Sequence, residues 1–227
     1  MEITTKSQKL KLTLLIYTII FYGIWTMYTF LVSPFLEDHF PNAVVCQIIK
    51  ECIKNLVWTL PAMLLVHHFS SEVHIKLKEM FTTKVKWIRY LPLFAFFTAF
   101  ILTNHYIVHH SFKISPDFGA STIVIILSVG LTEEMVFRGW LLNATVSSNK
   151  DKQWQAIALN AVMFMLIHFP TWIRHGTFVS AFTGFGFIVL LALGAIFGLS
   201  LLKSRNILVP IALHMYWDLL VMMLDGQ

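Results

Sequence analysis

Charge is what this sequence has least of. Asp, Glu, Lys and Arg make up 13% of its 227 residues, about half the share in an ordinary soluble domain. Apolar residues reach 57% and the mean hydropathy is +0.70, which excludes a soluble globular enzyme. Cysteine is nearly absent. Cys46 and Cys52 are six apart and face different sides of a helix, so neither a disulfide nor thiol catalysis is expected. No His-Glu-x-x-His helix is present, so no single segment supplies the usual zinc pair. The first apolar run, Leu12 to Val32, lacks a small-x-small cleavage site and is longer than a signal-peptide core. It reads as a retained span. Internal repeats, low-complexity tracts and flexible linkers are missing too, which makes 1–227 one integral membrane domain.

What is present is a series of membrane-length apolar stretches, at about 10–32, 44–69, 88–110, 119–144, 153–169, 178–202 and 207–224. The expected fold is all-α, a polytopic membrane bundle of about seven transmembrane helices. The second span is the least secure, because Lys50, Glu51 and Lys54 place its first turns in the membrane interface. Pro61 should kink it, and Gly194 and Gly198 should form a close-packing face in the sixth.

The net charge of +5 does not signal nucleic acid, because the basic residues gather in alternate loops. Lys6, Lys9, Lys11, Lys76, Lys78, Lys84, Lys86, Arg89, Arg138, Lys150, Lys152, Lys203 and Arg205 fall on one side. Only Lys113 and Arg174 fall on the other. That asymmetry predicts a cytoplasmic N-terminus and an external C-terminus. The partner expected is the lipid bilayer, with no nucleic acid.

The chain is organised around residues 121–143, an apolar segment with Glu133, Glu134 and Arg138 near its middle. A charged side chain in hydrocarbon costs from about 3 to more than 10 kcal/mol, so three together need partners and a task. Glu134 and Arg138 are four apart, acid first, the favourable order for an ion pair on one helix face. Glu133 points about 100° away and lacks that partner. Two other spans carry ionisable groups: His168, closed off by Pro170, and the pair His214 and Asp218 at four-residue spacing. With a rise of about 1.5 Å per residue, Glu133 and Glu134 lie about 15 Å from the cytoplasmic ends of their span. His214 comes at about 12 Å, Asp218 at about 18 Å and His168 at about 22 Å. Convergence in depth points to a site.

Glu133-Glu134-x-x-x-Arg138, Phe164-x-x-x-His168 and His214-x-x-x-Asp218, in that order, resemble the CAAX-processing and bacteriocin-processing (Abi) family of intramembrane proteases. Phe137-Arg138-Gly139 and His168-Phe169-Pro170 extend the likeness, which covers about 119–224. It implies peptide-bond cleavage of a peptide or membrane-protein substrate within a membrane, here a bacterial plasma membrane. Glu133 and His168 would activate a water, while His214 and residue 218 would stabilise the oxyanion. The departure is at 218, where the family commonly has asparagine. An ionised aspartate cannot donate, so Asp218 is protonated, orients His214, or helps to ligate a metal. No cofactor is expected in the first two cases; in the third, Glu133, His168, His214 and Asp218 form a zinc set. Two other classes compete: a bacteriocin self-immunity protein acting by binding, and a proton or ion transporter, the latter disfavoured without inverted repeats. His105 and His109 are expected at the interface, and Asn160 to bond to a neighbouring helix.

Overall fold

A computed structural model describes residues 2–146 and 149–226, with side chains described from Gln8 onward. The Lys6 side chain, one of those assigned to the cytoplasmic side, lies outside the described residues. The described chain is all-helical. Helix α1 runs through Glu2–Met27, a π turn at Tyr28–Val32, and Ser33–His39. Helix α2 repeats the pattern: Ala43–Lys54, a π turn at Asn55–Thr59, then Leu60–His68. Then come the short α3 (Leu77–Thr82), α4 (Leu91–His109) and α5, made of Ala120–Glu134, the π segment Met135–Leu142 and Asn143–Thr145. Helices α6 (Lys150–Leu166), α7 (Phe169–Arg174), α8 (Phe178–Thr183), α9 (Gly186–Ser204) and α10 (Leu208–Leu224) complete the chain.

Among the described residues, Gln8–His39, Leu91–His109, Ala120–Thr145, Lys150–Arg174 and Gly186–Ser204 are long and apolar enough to cross a membrane. Leu208–Leu224 is shorter, but its 17 residues still extend about 25 Å. With α2 this gives the expected polytopic bundle of about seven spans. Large apolar side chains stand exposed along it, among them Ile19, Leu56 and Ile107 at 65%. Lipid replaces water around such a surface.

The helices depart from the expected spans where proline meets the backbone ladder. The first span was expected to end near 32, yet α1 continues to His39 although Pro34 follows. By contrast α2 continues past Pro61 as expected for the span 44–69. In both, a π turn sits just before the proline. Its extra residue takes up the clash between the ring and the carbonyl four residues back. The stretch expected as one helix over 178–202 breaks at Gly184–Phe185, where Phe185 adopts φ 61°. Pro170 opens α7 and ends α6 at Leu166, leaving His168 at the corner.

Helix α5 is the hub, packed against α2, α6 and α10, while α9 lies along α6. Gly194 makes that last contact possible: a Cβ there would sit 2.8 Å from Ala161 Cα. The close-packing role read for Gly194 therefore holds. An aromatic cluster of Phe21, Trp25, Trp58, Phe137 and Trp140 joins α1, α2 and α5. At one end of the bundle, Asn143 binds the Ile75 N–H and C=O. There Arg205 donates to Glu79 and to the His74 carbonyl. Arg205 beside Glu79 holds its carboxyl below the usual carboxylate range, and burial pushes the His74 imidazole down.

Three polar groups are buried on folding. Glu51 is at 3% exposure and paired with Lys54, and Lys50 reaches Glu37. The pairs let α2 pack its charged turns against α1 and α5. Arg138, counted among the cytoplasmic basic residues, is fully buried, so it does not mark a loop. His105 is buried too, because Asp225 binds it; His109 alone is exposed.

Candidate active site

Helix α5 delivers Glu133 and Glu134 at the point where its regular turns give way to the π segment. All eight residues of that segment are buried. Glu134 and Arg138 are both at 0% exposure, with Glu133 at 7%. The wider turn displaces the Phe137 carbonyl, which accepts from Asn160 Nδ2 of α6 at 2.8 Å. Asn160 does bond to a neighbouring helix, as expected. Such π segments recur at functional sites.

Both Arg138 Nη atoms are bonded, while its buried Nε has no partner among the described residues. Nη1 donates to Glu134 Oε1 at 2.9 Å and Nη2 to the Gly194 carbonyl at 3.1 Å. The guanidinium lies 4.2 Å from the Phe164 ring centroid and 5.3 Å from that of Phe197. These contacts replace the hydration lost on burial.

The same Glu134 oxygen accepts from His214 Nδ1 at 2.9 Å. His214 also stacks on Phe197, with ring centroids 5.1 Å apart. Its Nε2 then faces Glu133 Oε2 at 3.9 Å and Asp218 Oδ2 at 3.5 Å. Glu134, not Asp218, is thus the carboxylate within hydrogen-bonding distance of the imidazole. A donor at Nδ1 fixes the tautomer and leaves Nε2 for chemistry. Glu133 has neither the arginine nor any hydrogen bond to its Oε2 among the described residues.

His168 sits apart from the acids. Its Nδ1 donates to the Phe164 carbonyl at 3.0 Å, leaving Nε2 uncommitted. Phe164 bridges the two imidazoles, 5.3 Å from His168 and 5.7 Å from His214 between centroids. His168 also lines a cleft of about 380 Å³ with Trp172, Thr177, Ser180 and Gly186, between α7, α8 and α9.

Glu133, His168, His214 and Asp218 are the four residues that a zinc ion at this site would need. As arranged, among the described residues, these side chains do not bring three ligand atoms within 4.8 Å of one another.

Two positions matter here that the motifs did not reveal. Phe197 supports both His214 and Arg138 from α9. Gly130 lies one turn before the acids, where a Cβ would meet Met215 Cγ at 2.6 Å and the Ile211 carbonyl at 3.3 Å. Its absence lets α10 approach closely enough for His214 to reach Glu134. A glycine inside an apolar helix costs about 1 kcal/mol relative to alanine; that cost was the signal available in the sequence. Gly130→Ala should therefore lower activity more than its overpacking penalty, about 1–3 kcal/mol, lowers stability. Rate and thermal midpoint measured together check this, and unchanged activity would mean that the close approach does not set the site.

Comparison with known proteins gives one finding: residues 115–220 match the family model described as type II CAAX prenyl endopeptidase, Rce1-like. The matched stretch takes in all six residues described above, and overlaps the 119–224 read from the motifs. It points to intramembrane endopeptidase activity. No curated protein and no solved structure matches the chain.

Proposed function

With residues 115–220 matched to the Rce1-like endopeptidases as premise, we propose that this membrane protein hydrolyses a peptide bond of a membrane-anchored substrate, with Glu133 as general base. The observation that carries this is the division of labour between adjacent carboxylates. Glu134 is committed to Arg138 and His214, whereas Glu133 is uncommitted and faces the outward nitrogen of the same imidazole.

The chemistry follows from those roles. Glu133 takes a proton from a water, the hydroxide adds to the substrate carbonyl, and the oxygen takes up the negative charge. His214, as an imidazolium with Nδ1–H on Glu134 and a second proton on Nε2, donates from Nε2 to that oxyanion, and a protonated Asp218 adds a second donor. Collapse of the tetrahedral intermediate breaks the C–N bond, and the Glu133 proton passes to the leaving amine. Glu134 is a positioning residue, keeping Nδ1 occupied so that Nε2 points at the reacting oxygen. His168, with Nε2 free at the cleft, helps to align the water. Every step runs on side chains of this chain. The substrate class proposed is a chain held in the bilayer by a lipid or a span, which enters beside His168.

The departure at 218 supplies the test. An aspartate that must be protonated to donate loses that ability as pH rises. Asparagine donates at any pH. Asp218→Asn should keep or raise activity and remove the loss at high pH. The measurement is the pH–rate profile of reconstituted protein on anchored peptides, prenylated and plain, with bound metal assayed in parallel. A fall in activity together with metal content would overturn the metal-free scheme. A fall without metal loss would remove Asp218 as an oxyanion donor.

A further inference from the structure

A second cluster of titratable side chains lies at the end of the bundle opposite Arg205, and the catalytic scheme makes no use of it. His105 and His109 are one turn apart at the end of α4, and Asp225 immediately follows α10. His105 Nδ1 lies 2.6 Å from Asp225 Oδ1, and His109 Nε2 lies 3.7 Å from that same oxygen. The imidazole centroids are 4.6 Å apart. One ligand atom from each residue falls within 4.8 Å of the other two, the sole such group among the described residues.

We propose that His105, His109 and Asp225 form a divalent transition-metal site, suited to zinc, that fastens the end of α10 to α4. Two imidazoles and one carboxylate are a borderline donor set that suits zinc and leaves a fourth position for water. Histidines four apart on a helix are a known chelating arrangement. Zinc ligands at roughly 2.1 Å in a tetrahedral set stand about 3.4 Å from one another. The separations of 2.6 and 3.7 Å bracket that value, so small side-chain shifts close the site.

His105 is buried at 4% exposure, so the site has a protected inner ligand. His109 and Asp225, at 50% and 39% side-chain exposure, leave the ion a path from solvent. Asp225 stands seven residues beyond Asp218, and the Met223 carbonyl accepts from the Ser115 N–H at 2.8 Å. A bound ion would thus stiffen both the helix that carries His214 and the turn that leads into α5.

The inference stands apart from the catalytic proposal and is tested without any activity assay. Full-length protein in detergent is stripped with a chelator, then titrated with Zn²⁺ under equilibrium dialysis. Co²⁺ absorption reports the coordination geometry. One equivalent should bind with a rise in thermal midpoint, and the cobalt spectrum should be tetrahedral. His109→Ala, at an exposed position, and Asp225→Asn, whose amide keeps an oxygen for His105, should each weaken binding at least about tenfold. Glu133→Gln and His168→Ala should leave it unchanged. No bound zinc, or binding indifferent to His109→Ala and Asp225→Asn, would overturn the proposal. Binding lost instead with Glu133→Gln or His168→Ala would also overturn it, by moving the metal to the other cluster.

Discussion

Glu133→Gln should abolish cleavage while the protein remains folded in the membrane. Glutamine is nearly isosteric, and Glu133 Oε2 has no hydrogen bond to lose among the described residues. Removing one buried carboxylate from beside Glu134 also relieves repulsion, so the thermal midpoint should hold or rise. The rate should fall by about 10²–10⁴, the usual contribution of a positioned general base. Turnover of anchored peptides in proteoliposomes, with thermal unfolding of the same preparation, measures both. Activity within a few-fold of wild type would sink the general-base assignment. A variant that cannot cleave, yet still protects a cell from a bacteriocin, would establish a binding role separate from hydrolysis.

Much of this site was legible because hydrocarbon makes charge expensive. Glu134 and Arg138 had to pair, since no other partner lies four residues away on that face, and they do at 2.9 Å. The place of Glu133 as the unpaired acid follows from the 100° step between neighbours on a helix. Depth along the spans put His214 and Asp218 near the acids, and the folded chain brings His214 to within 2.9 Å of Glu134. Other features depend on how helices are placed against one another, which periodicity does not encode. That Glu134 rather than Asp218 would hold His214 required the approach of α10 at Gly130. The burial of Glu51, His105 and Arg138 likewise depends on partners from distant segments. The π turns were hidden for a different reason. A proline in an apolar run forecasts a kink, but not the extra residue in the preceding turn that keeps the helix continuous.

Arg138→Ala should be the most damaging substitution in the chain. The guanidinium is fully buried, holds Glu134 and the Gly194 carbonyl, and lies on the Phe164 ring. Alanine leaves Glu134 charged with only His214 beside it, and breaking one side of a buried pair costs about 3–5 kcal/mol. Loss of this size removes a large part of a domain's net stability, so membrane levels and the thermal midpoint should both drop. Arg138→Lys should recover part of the stability, because one ammonium cannot serve Glu134 and Gly194 in the forked geometry. Stability and catalysis can then be separated with the double variant Glu134→Leu, Arg138→Met. Replacing both partners by apolar groups of similar volume is often neutral or stabilising, so this protein should fold. It should nevertheless be inactive, because His214 Nδ1 has lost the carboxylate that fixes its tautomer. A folded and active double variant would reduce Glu134 and Arg138 to packing elements, and would leave the orientation of His214 to Asp218.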